Sequence, residues 1–222
     1  MTPSRDIVDA LSFDIEDWFH IVKFASHSYW HRMVYELSED EFREDMQQSI
    51  GVIENAGGTK VLGFRASSFS ITPGCEWAFD VLHDLGLKYD ASLFPTQRPY
   101  GGYPCQEGPH VFTGAPSGRP MPELPMSVMR LGPKRIAFSG GGYMRLFPLW
   151  LIRRGIEQQH VAGQPVVIYL HPHDFAPDCP RVPMPLYRRF KCYVNTGGTK
   201  AKLLKLMQQY QFGSCARVLG IE

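Results

Sequence analysis

Residues 165–170, P-V-V-I-Y-L, constrain this chain more than any other segment. The run is apolar and rich in β-branched residues, and it lacks polar alternation. It therefore predicts a strand buried on both faces, as in a parallel sheet covered by helices. The rest of the chain agrees, because strand-like and helix-like segments alternate along it. Residues 7–13, 60–64, 87–94, 123–130 and 134–138 read as strands. Residues 39–55 place Phe42, Met46, Ile50 and Ile53 at helical spacing. That helix opens on S-E-D-E at residues 38–41, a capping box, and Ala56-Gly57-Gly58 stops it. Further helices are expected over residues 74–85, ended by Gly86, and over 149–160 and 198–210. Residues 95–120 are rich in Gly and Pro and read as a long loop, and Gly140-Gly141-Gly142 reads as a tight turn or bulge. The expected fold is α/β with a parallel, helix-covered sheet.

A length of 222 residues suits one domain with a sizeable core, taken here as residues 1–222. The net charge of +1 leaves no nucleic-acid footprint and no polybasic membrane patch. A neutral polysaccharide or a small ligand is compatible with it. The five cysteines form no CxxC pair and no Cys/His zinc spacing, so free thiols in a reducing compartment are expected. No apolar stretch is long enough to span a bilayer, and the first residues carry no secretory pattern. The expectation is a soluble, cytoplasmic protein.

Chemistry-bearing residues follow the strand-like runs, which matters because ligands gather at the carboxyl ends of strands in α/β folds. Residues 12–18, S-F-D-I-E-D-W, group Asp14, Glu16 and Asp17. Grouped carboxylates can ligate a divalent cation and supply a general base, or they can simply form a polar loop. His27 and His31, in H-S-Y-W-H, are four positions apart and can share one helix face around a metal, or be ordinary half-exposed histidines. Arg65 ends a strand in G-F-R-A-S-S-F-S, where it can fork onto a carboxylate or make a structural ion pair. His171, in Y-L-H-P-H-D-F, follows the buried run and can act as a general acid or rest as a loop histidine.

Together these motifs resemble the polysaccharide deacetylase family of NodB type (carbohydrate esterase family 4), in its exopolysaccharide- and exosortase-associated branch. The branch's F-D-V-E-D-W-F is similar to residues 13–19, its A-S-H-G-Y-x-H to 25–31, and its R-A-P-S-F-S-I to 65–71, with Ser67 in place of proline. Its Y-D-S-S-I-F-P is similar to residues 89–95, and its G-G-G-Y-F-R-L-L-P to 140–148. Its Y-L-H-P-W-E is similar to residues 169–174, with His173 in the tryptophan position. The motifs occur in the family's order and cover nearly the whole chain, with residues 191–222 as a family-specific C-terminal segment.

The resemblance implies a distorted (β/α) barrel and a divalent metal, zinc in most members. The metal would be held by His27, His31 and either Glu16 or Asp17. It implies Asp14 as catalytic base, Arg65 as the residue that orients it, and His171 as general acid. It implies an N-acetylated polysaccharide or amino-sugar oligomer as substrate. The sequence departs from the family at one place. Only nine residues, 18–26, separate Asp17 from His27, where the family has several dozen. A strand-helix unit is therefore expected to be missing through an internal deletion, leaving the barrel incomplete. Two other readings stay open: a catalytically impaired remnant that binds carbohydrate, and a hydrolase of another non-peptide C–N bond.

Overall fold

A computed structural model describes residues 7–13, 27–178 and 180–222. In chain order the elements are β1 (Val8–Phe13), α1 (Glu39–Gly57), β2 (Gly63–Phe64), α2 (Trp77–Asp84), β3 (Tyr89–Asp90), β4 (His110–Phe112), β5 (Met121–Glu123), β6 (Val128–Leu131) and β7 (Lys134–Ala137). Then follow α3 (Gly141–Leu146), α4 (Leu149–Val161), β8 (Val167–Leu170), α5 (Leu186–Tyr193), α6 (Thr199–Met207), β9 (Gln211–Gly213) and α7 (Cys215–Val218). They fall into two compact units: β1 with Ser127–Ser214, and residues 27–126 with 215–222. Among the described residues the strands make separate sheets of three, four and two strands, and no closed barrel. The described residues include no helix long and apolar enough to cross a membrane.

In the first unit β1 is the middle strand of a parallel sheet ordered β8-β1-β9. Ala10 lies opposite Val167, and Asp9 opposite Phe212. β8 is buried along its whole length, as its unbroken apolar run requires. Asp9 is the one charge inside β1. Its Oδ1 accepts the Val166 amide at 2.8 Å and lies 2.7 Å from His160 Nε2 on α4. The buried carboxyl thus ties β8 and α4 to β1 through Oδ1. Phe138, Met144, Ile152, Ile156, Ile168 and Leu170 fill the core beside it.

The three glycines at 140–142 do not form the expected turn. Gly140 has φ −90° and precedes α3, which begins at Gly141. A Cβ on Gly141 would come within 1.8 Å of Asp174 Oδ2, and one on Gly140 within 2.4 Å of the Tyr169 ring. Close approach, rather than backbone reversal, is what glycine provides here.

In the second unit α1 opens on the capping box read from the sequence. Ser38 Oγ accepts the Glu41 amide at 3.3 Å, and Glu41 Oε2 accepts the Ser38 amide at 2.8 Å. Gly58, at φ 63°, ends the helix. Phe42 and Met46 of α1 pack with Phe64, Phe79, Leu82 and Leu93 in the core. The sheet is ordered β2-β3-β5-β4, with β2, β3 and β5 parallel and β4 antiparallel to β5.

Two expected strands, residues 60–64 and 87–94, contract to the two-residue β2 and β3. Side chains take over the hydrogen bonding that a longer ladder would provide. The Ala66 amide donates to Ser92 Oγ at 2.8 Å, and the Leu93 amide to Glu123 Oε1 at 3.1 Å. The loop expected over residues 95–120 contains β4. The second helix starts three residues later than expected, at Trp77, because Gly74 sits at φ 99°. The C-terminal helix covers Thr199–Met207, and α5, β9 and α7 are additions to the sequence reading.

Candidate functional site

Asp14, Glu16 and Asp17 lie outside the described residues, as do residues 18–26 between them and His27. The other sequence candidates divide between the units: His27, His31 and Arg65 in one, His171 in the other.

His27 and His31 come together, but not on a helix face. Residues 27–31 form an irregular loop in which Ser28 and His31 have left-handed φ values of 72° and 54°. This winding brings the imidazole rings to 5.2 Å between centroids, tilted by 62°. The spacing of four suggested helical geometry; the loop reaches ring proximity by another route. Left-handed non-glycine residues carry strain and concentrate where a site over-determines the backbone.

Three sets of contacts hold this loop. His27 Nδ1 lies 2.7 Å from the Arg65 carbonyl. A carbonyl only accepts, so Nδ1 carries the proton and a neutral His27 presents its lone pair at Nε2. A metal-ligating histidine usually donates its other ring N–H to a carbonyl or carboxylate, which fixes its tautomer and ring orientation. Ser67 Oγ donates to the His27 carbonyl at 3.1 Å. Asp45, buried on α1, accepts the Trp30 amide at 2.8 Å and the Tyr29 amide at 3.2 Å. The donor types of this pair and the tautomer of His27 fit a divalent cation of the zinc class.

Arg65 follows β2 and is 3% exposed. Its Nε donates to the Ala91 carbonyl at 3.2 Å, and its Nη2 lies 4.0 Å from Cys215 Sγ. Among the described residues, Cys75 and Cys192 form no disulfide.

His171 directly follows β8, at the carboxyl end of a parallel strand as expected. It stands beside His173, with rings 5.2 Å apart and 29° from parallel. Asp174 organises this segment. Its carboxylate is fully buried, accepts the His171 amide at 2.8 Å and lies 2.8 Å from Arg145 Nε in an ion pair. His171 Nδ1 and His173 Nε2 each stand 3.6 Å from its oxygens. Burial alone would raise the Asp174 carboxyl. Hydrogen bonds from His171 and the charges of His173 and Arg145 outweigh it and hold the group below the ordinary carboxylate range. The ligand atoms of His171, His173 and Asp174 lie within 4.8 Å of one another, so this trio can also hold a cation.

Asp45, Arg145 and Asp174 were missed in the sequence. Each left a signal: Asp45 falls on the apolar face of an amphipathic helix, Arg145 follows the glycine run, and Asp174 closes H-P-H-D.

Known structures share this fold at low identity. A protein of Mycobacterium smegmatis assigned as a polysaccharide deacetylase matches 88% of this chain over 61% of its own, at 16% identity and TM-score 0.55. The Puue allantoinase matches 89% of this chain over 57% of its own, at 15% identity and TM-score 0.51. A protein of Pseudomonas aeruginosa PAO1 assigned as a polysaccharide deacetylase matches 91% over 59%, at 15% identity and TM-score 0.50. The chain thus spans about three-fifths of the length of these structures. No protein of curated function matches the sequence. The model of a domain of unknown function, DUF3473, matches residues 91–220, more than half of the chain. The chain belongs to the DUF3473 family, on a mixed α/β fold similar to that of polysaccharide deacetylases and an allantoinase.

Proposed function

We propose that the chain is a metal-dependent hydrolase that removes N-acetyl groups from a polysaccharide or amino-sugar oligomer in exopolysaccharide metabolism. The observation that carries this reading is the His27–His31 pair, with its tautomer set by the Arg65 carbonyl. His27 and His31, with Glu16 or Asp17, would hold the cation, zinc by the donor set. When bound, the cation polarises the acetamide carbonyl and lowers the pKa of water beside it.

The residues of the chain do the rest. Asp14 takes the proton of the attacking water, and Arg65 orients the Asp14 carboxylate. His171 gives a proton to the leaving nitrogen, since an amine leaves an acetamide poorly without one. Asp174 and Arg145 fix the segment that carries His171. The products are acetate and a glucosamine-type unit.

The same reading makes the fold a NodB-type barrel shortened by one strand-helix unit. The nine residues 18–26 between the acidic and histidine motifs support this. Genomic sequence across those codons tests it, and a full-length insert there would overturn the deletion.

The test of function is acetate release from N-acetylglucosamine oligomers by zinc-loaded protein. His171→Ala and Asp14→Asn should each lower kcat by at least ~100-fold. Absence of acetate from chitin-like and exopolysaccharide substrates alike would refute the reading. The allantoinase fold supports one alternative, hydrolysis of a cyclic amide. A cyclic ureide offered in the same assay separates the two.

A further inference from the structure

Asp90 and Glu123 are fully buried carboxyl residues, paired across β3 and β5, that the proposed chemistry does not use. Asp90 Oδ1 accepts Ser92 Oγ at 2.7 Å, and Oδ2 accepts the Ser92 amide at 2.8 Å. Ser92 Oγ in turn accepts the Ala66 amide, next to Arg65. The carbonyl between Asp90 and Ser92, that of Ala91, accepts Arg65 Nε. Asp90 is therefore linked to both the side chain and the backbone of the Arg65 segment, and that segment holds His27 through the Arg65 carbonyl. Glu123 Oε1 accepts the Leu93 amide, whereas Oε2 is buried with no donor. The two carboxyls are close enough to hydrogen-bond to each other. A proton on Glu123 lets it donate to Asp90, because two adjacent buried carboxyls cannot both ionise.

We propose that Asp90 and Glu123 form a one-proton carboxyl pair that seats Arg65 from inside the sheet, making both of them positioning residues. The catalytic consequence rests on the function proposed above; the pair itself does not. Burial, and then the Asp90 charge, push Glu123 well above the ordinary carboxylate range, which places the proton on Glu123. The Arg65 charge acts on both carboxyls and favours one remaining negative charge. Among the described residues, Tyr89 on β3 senses the Asp90 charge, and Cys215 on α7 and Glu222 act on the same tyrosine.

The test compares wild type with Glu123→Gln, Asp90→Asn and the double variant, all in the full chain. Infrared spectroscopy near neutral pH should show the carbonyl band of a protonated buried acid, and Glu123→Gln should remove it. The sign of the pH dependence follows from the raised Glu123. Above the ordinary glutamate value of 4.5 the folded chain keeps a proton that the unfolded chain releases. Wild type should therefore lose melting temperature relative to Glu123→Gln as pH rises through that value.

Glu123→Gln leaves the Asp90 charge, and Asp90→Asn relieves Glu123 of that charge so that it can ionise toward Arg65; each should lower kcat of acetate release only about threefold to tenfold. The double variant removes the charge and should lower kcat several-hundredfold, beyond the product of the singles. An absent band, or a melting difference that is flat with pH, overturns the pair. Single effects that simply multiply in the double variant overturn the seat. A double variant that does not fold leaves the Glu123→Gln band and pH profile to decide. If zinc-loaded wild type releases no acetate from any substrate, the positioning role falls with that reading, while the band and pH profile still decide the pair.

Discussion

At the scale of single residues, Asp174 carries the heaviest load in its unit. It is buried against Arg145 and holds the first backbone amide after β8. Removing one partner of a buried ion pair leaves an uncompensated charge, so Asp174→Ala should cost about 3 kcal/mol of stability. Equilibrium urea unfolding measures this, and a loss below about 1 kcal/mol would show that Arg145 finds another partner. His27 and His31 stand out in the sequence because metal chemistry restricts donor types and spacing. Their loop was not, since a spacing of four is shared by a helix turn and by a backbone wound through left-handed Ser28 and His31. The clamp that stabilises the winding, Asp45, comes from sixteen residues beyond Tyr29; its place on the apolar face of α1 marks it without naming the amides it binds.

At the scale of elements, local chemistry decided the helices. The capping box at Ser38 and Glu41 was readable because both partners lie within one turn. Ser38→Ala removes that acceptor and should cost about 1 kcal/mol. It should appear as a lower denaturation midpoint at unchanged m-value. Strands β2 and β3 came out shorter than their apolar runs because Ser92 and Glu123 intercept amides that a ladder would use. Such competition depends on which strand lies next door, and the sequence does not state this. Gly140 and Gly141, at the start of α3, depart from the expected turn for the same reason, since Tyr169 and Asp174, the residues they admit, lie about thirty positions away.

At the scale of the whole molecule, the proposed cation is a folding ligand as well as a cofactor. A ligand that binds only the folded state stabilises it by RT ln(1 + [L]/Kd), about 4 kcal/mol at a thousandfold excess over Kd. Zinc should therefore raise the melting temperature of chelator-treated protein, and His27→Ala should abolish the rise. An equal rise in His27→Ala would move the cation to His171, His173 and Asp174.

The sequence by itself determined the alternation of strands and helices, the buried strand β8 and the strand β1, the cap of α1, and the candidate histidines and arginine. These rest on interactions within a few residues or on the hydrophobic periodicity of one segment. Tertiary structure alone decided the loop that pairs His27 with His31, the burial of Asp174 against Arg145, and the meeting of Asp90 with Glu123 across two strands. Each of these depends on groups far apart in the chain. Their energy comes from desolvation and pairing, which exist only once the packed fold has brought them together.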